Sequence, residues 1–261
     1  MNEKKKNLIL LILLFILLFS ANYSYLDFEL NKFLSQDKEI FIERVIDGDT
    51  IVSNKSSIRL LGINTPEKGE KYSLEAKQFM ELMVLNKTAQ LKFGKERTDL
   101  YGRTLAYAFI GNKNLNLEMI SKGFANPYFP SGKDGYYSAF FEAWNKCLIT
   151  NENLCKVTDN FCGKACIKLS KFEHEKQLVE IQNICPFECD LSNWTIKDEG
   201  RKKFIFENYK LKANKRIEIL VGNYSNSENI LYWNRNYIWT RTGDTLFLRD
   251  DKGDLVLWQN Y

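Results

Sequence analysis

A chain of 261 residues is long for one domain and comfortable for two small ones, and 44% apolar with 14% aromatic residues excludes a disordered protein. The net charge of +4 does not repel a polyanion, nor does it mark the chain as a nucleic-acid binder. With His174 as the single histidine, Ser-His-Asp triads, histidine-pair acid–base catalysis and multi-histidine zinc sites are set aside as the engine. Chemistry must run on carboxylates, arginines, tyrosines, cysteines or a hard metal.

In chain order, Lys4, Lys5 and Lys6 precede an apolar run from Leu8 to Phe19, followed by Ser20 and Ala21. That run is short of the roughly 20 residues a membrane span needs. Residues 1–25 therefore read as an export signal, with an uncleaved signal anchor as the rival. Either reading puts the rest outside the cytoplasm, secreted or anchored on the outer side of the membrane, with membrane contact only through this segment. Residues 26–38 are a tether. From Glu39, alternation predicts strands at 39–42, 50–52, 58–61, 90–93 and 105–109. Asn54-Lys55-Ser56 is turn chemistry, Ser73 a candidate helix N-cap, and helices are expected over 73–86, 116–122 (closed by Gly123) and 138–147. The expected fold is mainly β with some α: a five-stranded barrel with three helices over residues 39–149.

All six cysteines, Cys147, Cys155, Cys162, Cys166, Cys185 and Cys189, fall within one stretch. In an exported chain they favour disulfides; the rival is a structural zinc on Cys162/Cys166 and Cys185/Cys189. Residues 150–166 read as a cysteine-rich linker. From 167 to 261, short β-type runs recur at 178–181, 194–196, 204–206, 217–221, 237–240, 245–248 and 255–258, the pattern of a β-sandwich. Trp194 reads as a core anchor of that sandwich. Asp244 and Asp250 to Asp254 look metal-like but read as turns.

The charged stretch 44–67 is the candidate site. Breaking a phosphodiester needs a hard cation, cationic donors for the transition-state charge, and a base that steers water. Asp47 and Asp49, joined by Gly48 at a strand corner, can aim oxygens at Ca²⁺ or another divalent ion. Arg59 can grip phosphate in a bidentate way, and Thr65-Pro66 presents the Thr65 carbonyl and then Glu67, the candidate water-positioning group. Arg103, after Tyr101-Gly102, is a second phosphate donor.

Three ordered motifs, Ile-Asp-Gly-Asp-Thr (46–50), Arg-Leu-Leu-Gly-Ile-Asn-Thr-Pro-Glu (59–67) and Arg-Thr-Asp-Leu-Tyr-Gly-Arg-Thr-Leu-Ala-Tyr (97–107), resemble the staphylococcal nuclease (thermonuclease) family over roughly 39–147. The resemblance implies an OB-type barrel and Ca²⁺-dependent cleavage of DNA and RNA by a monomer. It implies catalytic roles for Arg59, Glu67 and Arg103, metal contacts from Asp49 and Thr65 with Asp47 beside them, and substrate contacts from Tyr101 and Tyr128. The family's second metal-binding aspartate is here Asn64, whose amide oxygen can still ligate but carries no charge. Residues 189–200 and 241–256 resemble the lamin-tail domain, an immunoglobulin-like sandwich, whose ligand the sequence does not reveal. The competing class is a catalytically weak nucleic-acid- or surface-binding protein that retains the barrel.

Overall fold

The computed structural model describes residues 3, 5–8, 11–14 and 37–261. The described N-terminal residues are helical, and among the described residues no helix is long and apolar enough to cross a membrane. The rest of the export segment and most of the tether lie outside the described residues.

The first sheet runs β1 (Lys38–Phe41), β6 (Thr88–Thr98), β7 (Thr104–Ile110), β4 (Ser56–Leu60), β3 (Thr50–Ser53), β2 (Arg44–Asp47), with the short β8 (Lys113–Asn114) on β7. Its strands are antiparallel except β4 and β7, which pair in parallel. The two edge strands are consecutive in the chain. At their junction the Ile42 amide donates to Lys87 O and the Glu43 amide to Val52 O, so the sheet curls until one strand feeds both edges. Arg44–Asp47 is the strand that periodicity did not separate from its neighbour. Asn54 and Lys55 form a two-residue hairpin turn with φ of 43° and 62°, the geometry that matches strand twist.

Three helices cover this sheet: α1 (Ser73–Val84), α2 (Leu115–Ser121) and α3 (Tyr137–Thr150). Ser73 is not the N-cap of α1. Tyr72 holds that place at φ 68°, and no side chain caps the helix. The reason is tertiary: Tyr72 packs against the core while the preceding Lys71 is drawn to Asp254, far along the chain. By contrast α2 is capped locally, the Asn114 side chain accepting from the amides of Asn116 and Leu117. Gly123 follows it at φ 66°, where a Cβ would stand 2.6 Å from Glu152 O.

The second region holds two four-stranded sheets. One runs β10 (Ile167–Glu173), β11 (Leu178–Asn183), β16 (Arg216–Val221), β17 (Ile230–Trp233). The other runs β14 (Lys203–Ile205), β13 (Thr195–Lys197), β18 (Thr245–Arg249), β19 (Leu255–Asn260), and β12 (Cys189–Asp190) pairs with β15 (Lys210–Leu211). Their common core buries Trp194, Ile196, Phe206, Ile219 and Leu248. Disulfides join Cys147 to Cys155, Cys162 to Cys189 and Cys166 to Cys185. The sulfurs of Cys162, Cys166 and Cys189 cluster, but paired sulfurs offer no thiolate to a metal.

Residues 237–240, expected as a strand, are not one. Ile238 and Trp239 are buried, yet their amides both donate to the Gln177 side-chain oxygen, and Gln177 Nε2 returns a bond to Trp239 O. A single side chain replaces the ladder that periodicity predicted.

The two regions share packing. Phe247 and Leu255 belong to the first core, and Trp144 of α3 meets Phe247 at 5.5 Å and Trp258 at 6.2 Å between ring centroids. Residues 156–158 of the linker bond along β19: Leu255 N donates to Lys156 O and Thr158 N to Leu255 O.

Candidate active site

The Asp47-Gly48-Asp49 corner is the hairpin turn from β2 to β3. A Cβ on Gly48 would come 2.7 Å from Thr65 Cγ2 and 2.9 Å from the Ala76 Cβ, so only glycine lets the turn press against the 64–67 segment. This close approach is what assembles the site. Asp49 Oδ2 accepts from the Thr65 amide and hydroxyl, each at 2.9 Å, and Oδ1 accepts from Thr50 Oγ1 at 3.1 Å. Arg59 Nε pairs with Asp49 Oδ1 at 3.2 Å, both side chains being buried. The remaining Arg59 nitrogens donate to Leu60 O at 2.6 Å and Asn64 Oδ1 at 3.3 Å.

Asn64 is therefore engaged at both ends. Its Oδ1 faces the Arg59 guanidinium, and its Nδ2 donates to Gly200 O at 2.8 Å, a partner in the second region. Asp47 accepts from the Asp49 amide at 3.1 Å. Burial raises its carboxyl above the ordinary value, and the charge of Asp49 raises it further.

Arg59 also lines a cleft of about 350 Å³ with Arg103, Tyr101, Tyr128 and the 94–96 and 129–134 segments. The Arg59 guanidinium lies 5.9 Å from the Tyr128 ring centre and Arg103 5.5 Å from that of Tyr101. Burial pushes the Tyr128 hydroxyl up, against the pull of Arg59. Tyr101 projects into solvent from the exposed 99–102 turn. Arg103 is braced by Asp99: its amide donates to Oδ1 at 2.9 Å and its Nε to Oδ2 at 2.6 Å. Partial burial would raise Asp99, but the donors on Arg103 and the Tyr101 amide outweigh it and hold the carboxyl below the usual range.

The structure thus gathers Asp49, Arg59, Asn64 and Thr65 into one buried network, and Arg59, Arg103, Tyr101 and Tyr128 around one cleft. Glu67 lines no part of that cleft. It sits on the exposed turn between β5 (Gly62–Asn64) and α1, where its Oε1 meets Arg201 Nε at 2.5 Å. Sequence reasoning missed Arg201, the Asp99 brace and Asn126. Asn126, on β9 (Asn126–Tyr128), stands opposite Asn64 and donates to Glu199 O at 3.0 Å. The signal available was the charged run Asp-Glu-Gly-Arg-Lys-Lys at 198–203.

Asp198, Glu199 and Asp244 form a buried acidic group beside this contact. Burial first, then the charge of Asp244, pushes Glu199 up to about 8 and Asp198 up to about 6.

Residues 57–153 match the family described as Staphylococcal nuclease homologue. The chain is 34% identical over 105 residues to a thermonuclease of Staphylococcus intermedius, covering 36% of this chain and 62% of that protein. It is 35% identical over 96 residues to the thermonuclease of Staphylococcus hyicus (33% and 57%). An uncharacterized endonuclease of Haemophilus influenzae shares 34% over 102 residues (37% and 56%). The chain thus spans somewhat less than two thirds of the length of these relatives, and Asp47 and Asp49 lie just upstream of the family match. The residues similar to the staphylococcal nuclease family, 57–153, include Arg59, Asn64, Thr65, Glu67 and Arg103.

Proposed function

We propose that this protein is a divalent-cation-dependent nuclease that hydrolyses phosphodiester bonds of DNA and RNA with little sequence dependence, and that it works outside the cytoplasm. The observation that carries the reading is the Asp49–Arg59 pair opening onto a cleft shared with Arg103 and Tyr128. Named relatives that are thermonucleases or an endonuclease support it.

The donor set fits Ca²⁺ or a similar ion. It is all oxygen, and the Asp47 carboxyl, raised first by burial and then by the Asp49 charge, stands beside a second carboxylate where a cation would be welcome. Asp47, Asp49 and the Thr65 carbonyl would hold it, with the Asn64 amide alongside. Such an ion supplies neutralisation of a phosphate oxygen and a lower pKa for water. The chain's own groups do the rest. Arg59 and Arg103 donate to the non-bridging oxygens as charge builds at phosphorus. Glu67 takes the proton of the attacking water while the new P–O bond forms, and the bond to the leaving sugar oxygen breaks. That oxygen is protonated from solvent. Tyr101 and Tyr128 offer ring faces to bases, which suits binding without sequence preference.

The second region is read as a lamin-tail-like sandwich that carries the nuclease to a surface or partner. Its support is two packed four-stranded sheets with Trp194 buried between them.

The test is digestion of plasmid and single-stranded DNA by the purified 26–261 chain with Ca²⁺ or with chelator. Cleavage that needs the ion and falls by about 10²–10⁴-fold in Glu67→Gln, with nucleotide binding retained, is expected. No digestion at any Ca²⁺ level overturns the enzyme reading in favour of a binding protein built on the same fold, for which the doubly engaged Asn64 would be the cause.

A further inference from the structure

We propose that the second region is a structural part of the nuclease centre, and that Arg201 is a positioning residue for Glu67. The inference rests on the nuclease reading above and adds a residue from outside the matched domain to it.

Glu67 lies on a turn with no regular secondary structure, between the end of β5 at Asn64 and the start of α1 at Ser73. A carboxylate that must meet a water in one orientation needs support that such a turn does not supply by itself. The β13–β14 hairpin supplies it three times over. Arg201, at the tip, pairs with the Glu67 carboxylate. Lys197 and Lys203, directly opposite each other across the two strands, both hold Glu70, at 3.3 and 3.0 Å. Glu70 Oε2 in turn accepts the Glu67 amide at 3.0 Å. Side chain and backbone of Glu67 are thus fixed by the same hairpin. Burial alone would raise the Glu70 carboxyl, yet it sits below its ordinary value, because the two lysines and the Glu67 amide outweigh that penalty.

The hairpin is itself anchored, and by residues of the nuclease domain. Asn64 and Asn126 face each other across the β5–β9 ladder, and their amide nitrogens donate to the consecutive carbonyls of Gly200 and Glu199. The Phe129 amide donates to Glu199 Oε1 at 3.0 Å. Both asparagines are buried. An aspartate at 64 could not donate to a carbonyl, so the amide at this position has a structural reason: it clamps the second region.

Geometry separates support from obstruction. The cleft between Arg59 and Arg103 is lined only by residues between 59 and 134, so the hairpin forms a wall beside it and fills none of it. The Arg201 side chain remains 60% exposed, and the Glu67 side chain 44%. Water and substrate reach the pair.

The experiment compares wild type, Arg201→Ala and Arg201→Lys in the 26–261 chain, measuring kcat and KM on DNA with saturating Ca²⁺ and checking each fold by thermal melting. Arg201→Ala is expected to lower kcat about tenfold with KM within about twofold, since misorientation of a reacting group acts on the chemical step. Arg201→Lys, which keeps the charge, is expected to recover a good part of the loss. An active wild type with unchanged kcat in Arg201→Ala overturns the proposal. A rise in activity overturns it too, and makes the hairpin a brake. A rise in KM at constant kcat overturns it in favour of a substrate contact. An inactive wild type brings down the nuclease reading and this proposal together.

Discussion

Two acid-rich turns, Asp47-Gly48-Asp49 and Asp250 to Asp254, look alike as text and are used in opposite ways. In the first, Asp49 is shared between Arg59, Thr50 and Thr65, and Asp47 stays beside it, its carboxyl raised by burial and by the Asp49 charge. Arg59 then carries the network to the wall of an open cleft. In the second, both buried carboxylates are taken up. Asp250 accepts from Thr158 and from the amides of Lys252 and Asp254. Asp254 is 2% exposed and gripped by Lys71 and Lys156, each at 2.8 Å. Those lysines come from the first region and the linker, so the second turn is a fastener between regions. A carboxylate pair marks a site only when the surrounding chain leaves part of its charge unanswered.

The contrast can be broken by substitution. Asp49→Asn keeps shape and removes charge. Digestion per folded molecule is expected to fall about a hundredfold or more at fixed Ca²⁺, alongside a lower melting temperature, because buried Arg59 loses its counter-charge. Loss of fold with activity per folded molecule intact would reverse the roles assigned to the two turns. Asp254→Ala should leave the chemistry alone, costing about 1–3 kcal/mol of stability by removing a buried acceptor of two exposed lysines. Chemical denaturation measures this, and a large fall in kcat in the folded protein would show that turn to be part of the chemistry.

A further effect is expected on pH. Glu199 holds a proton in the folded protein up to about 8, against an ordinary value of 4.5, because burial and then Asp244 disfavour its charge. The folded state therefore binds a proton that the unfolded chain releases. The contribution is fully present below 4.5 and lost as pH rises to about 8. Melting temperature should drop by a few degrees over that window, and Glu199→Gln should flatten the slope. An unchanged slope would mean that this contact is open to water, and would weaken the distinction between the clamped acids and those of the candidate site.

Much of the site was legible because it is local or motif-borne. Asp49, Arg59, Thr65 and Arg103 fall in short runs whose residue types suit phosphate and metal chemistry, and most of the first region's strands, Arg44–Asp47 excepted, stand out as short apolar runs between turns. The Asn114 cap on α2 is also local, its side chain accepting from amides two and three residues on. The α1 start failed for a reason of distance: Ser73 looks like a cap, but the turn before it is fixed by Lys71 reaching Asp254. Residues 237–240 failed likewise, since buried aromatic and β-branched residues predict a ladder and a glutamine side chain took its place.

By itself, then, the sequence determined the nuclease-like constellation, the change of texture near residue 150 and the strand-rich second half, because these depend on residue type and short-range period. Tertiary structure alone decided what Asn64 is for and what holds Glu67. Asn64 meets Gly200 across 136 residues of chain, and its partner is a backbone carbonyl, which every residue has. A hydrogen bond to a group common to all positions leaves no mark in the letters, so only the folded arrangement could show that the second region reaches the 64–67 turn.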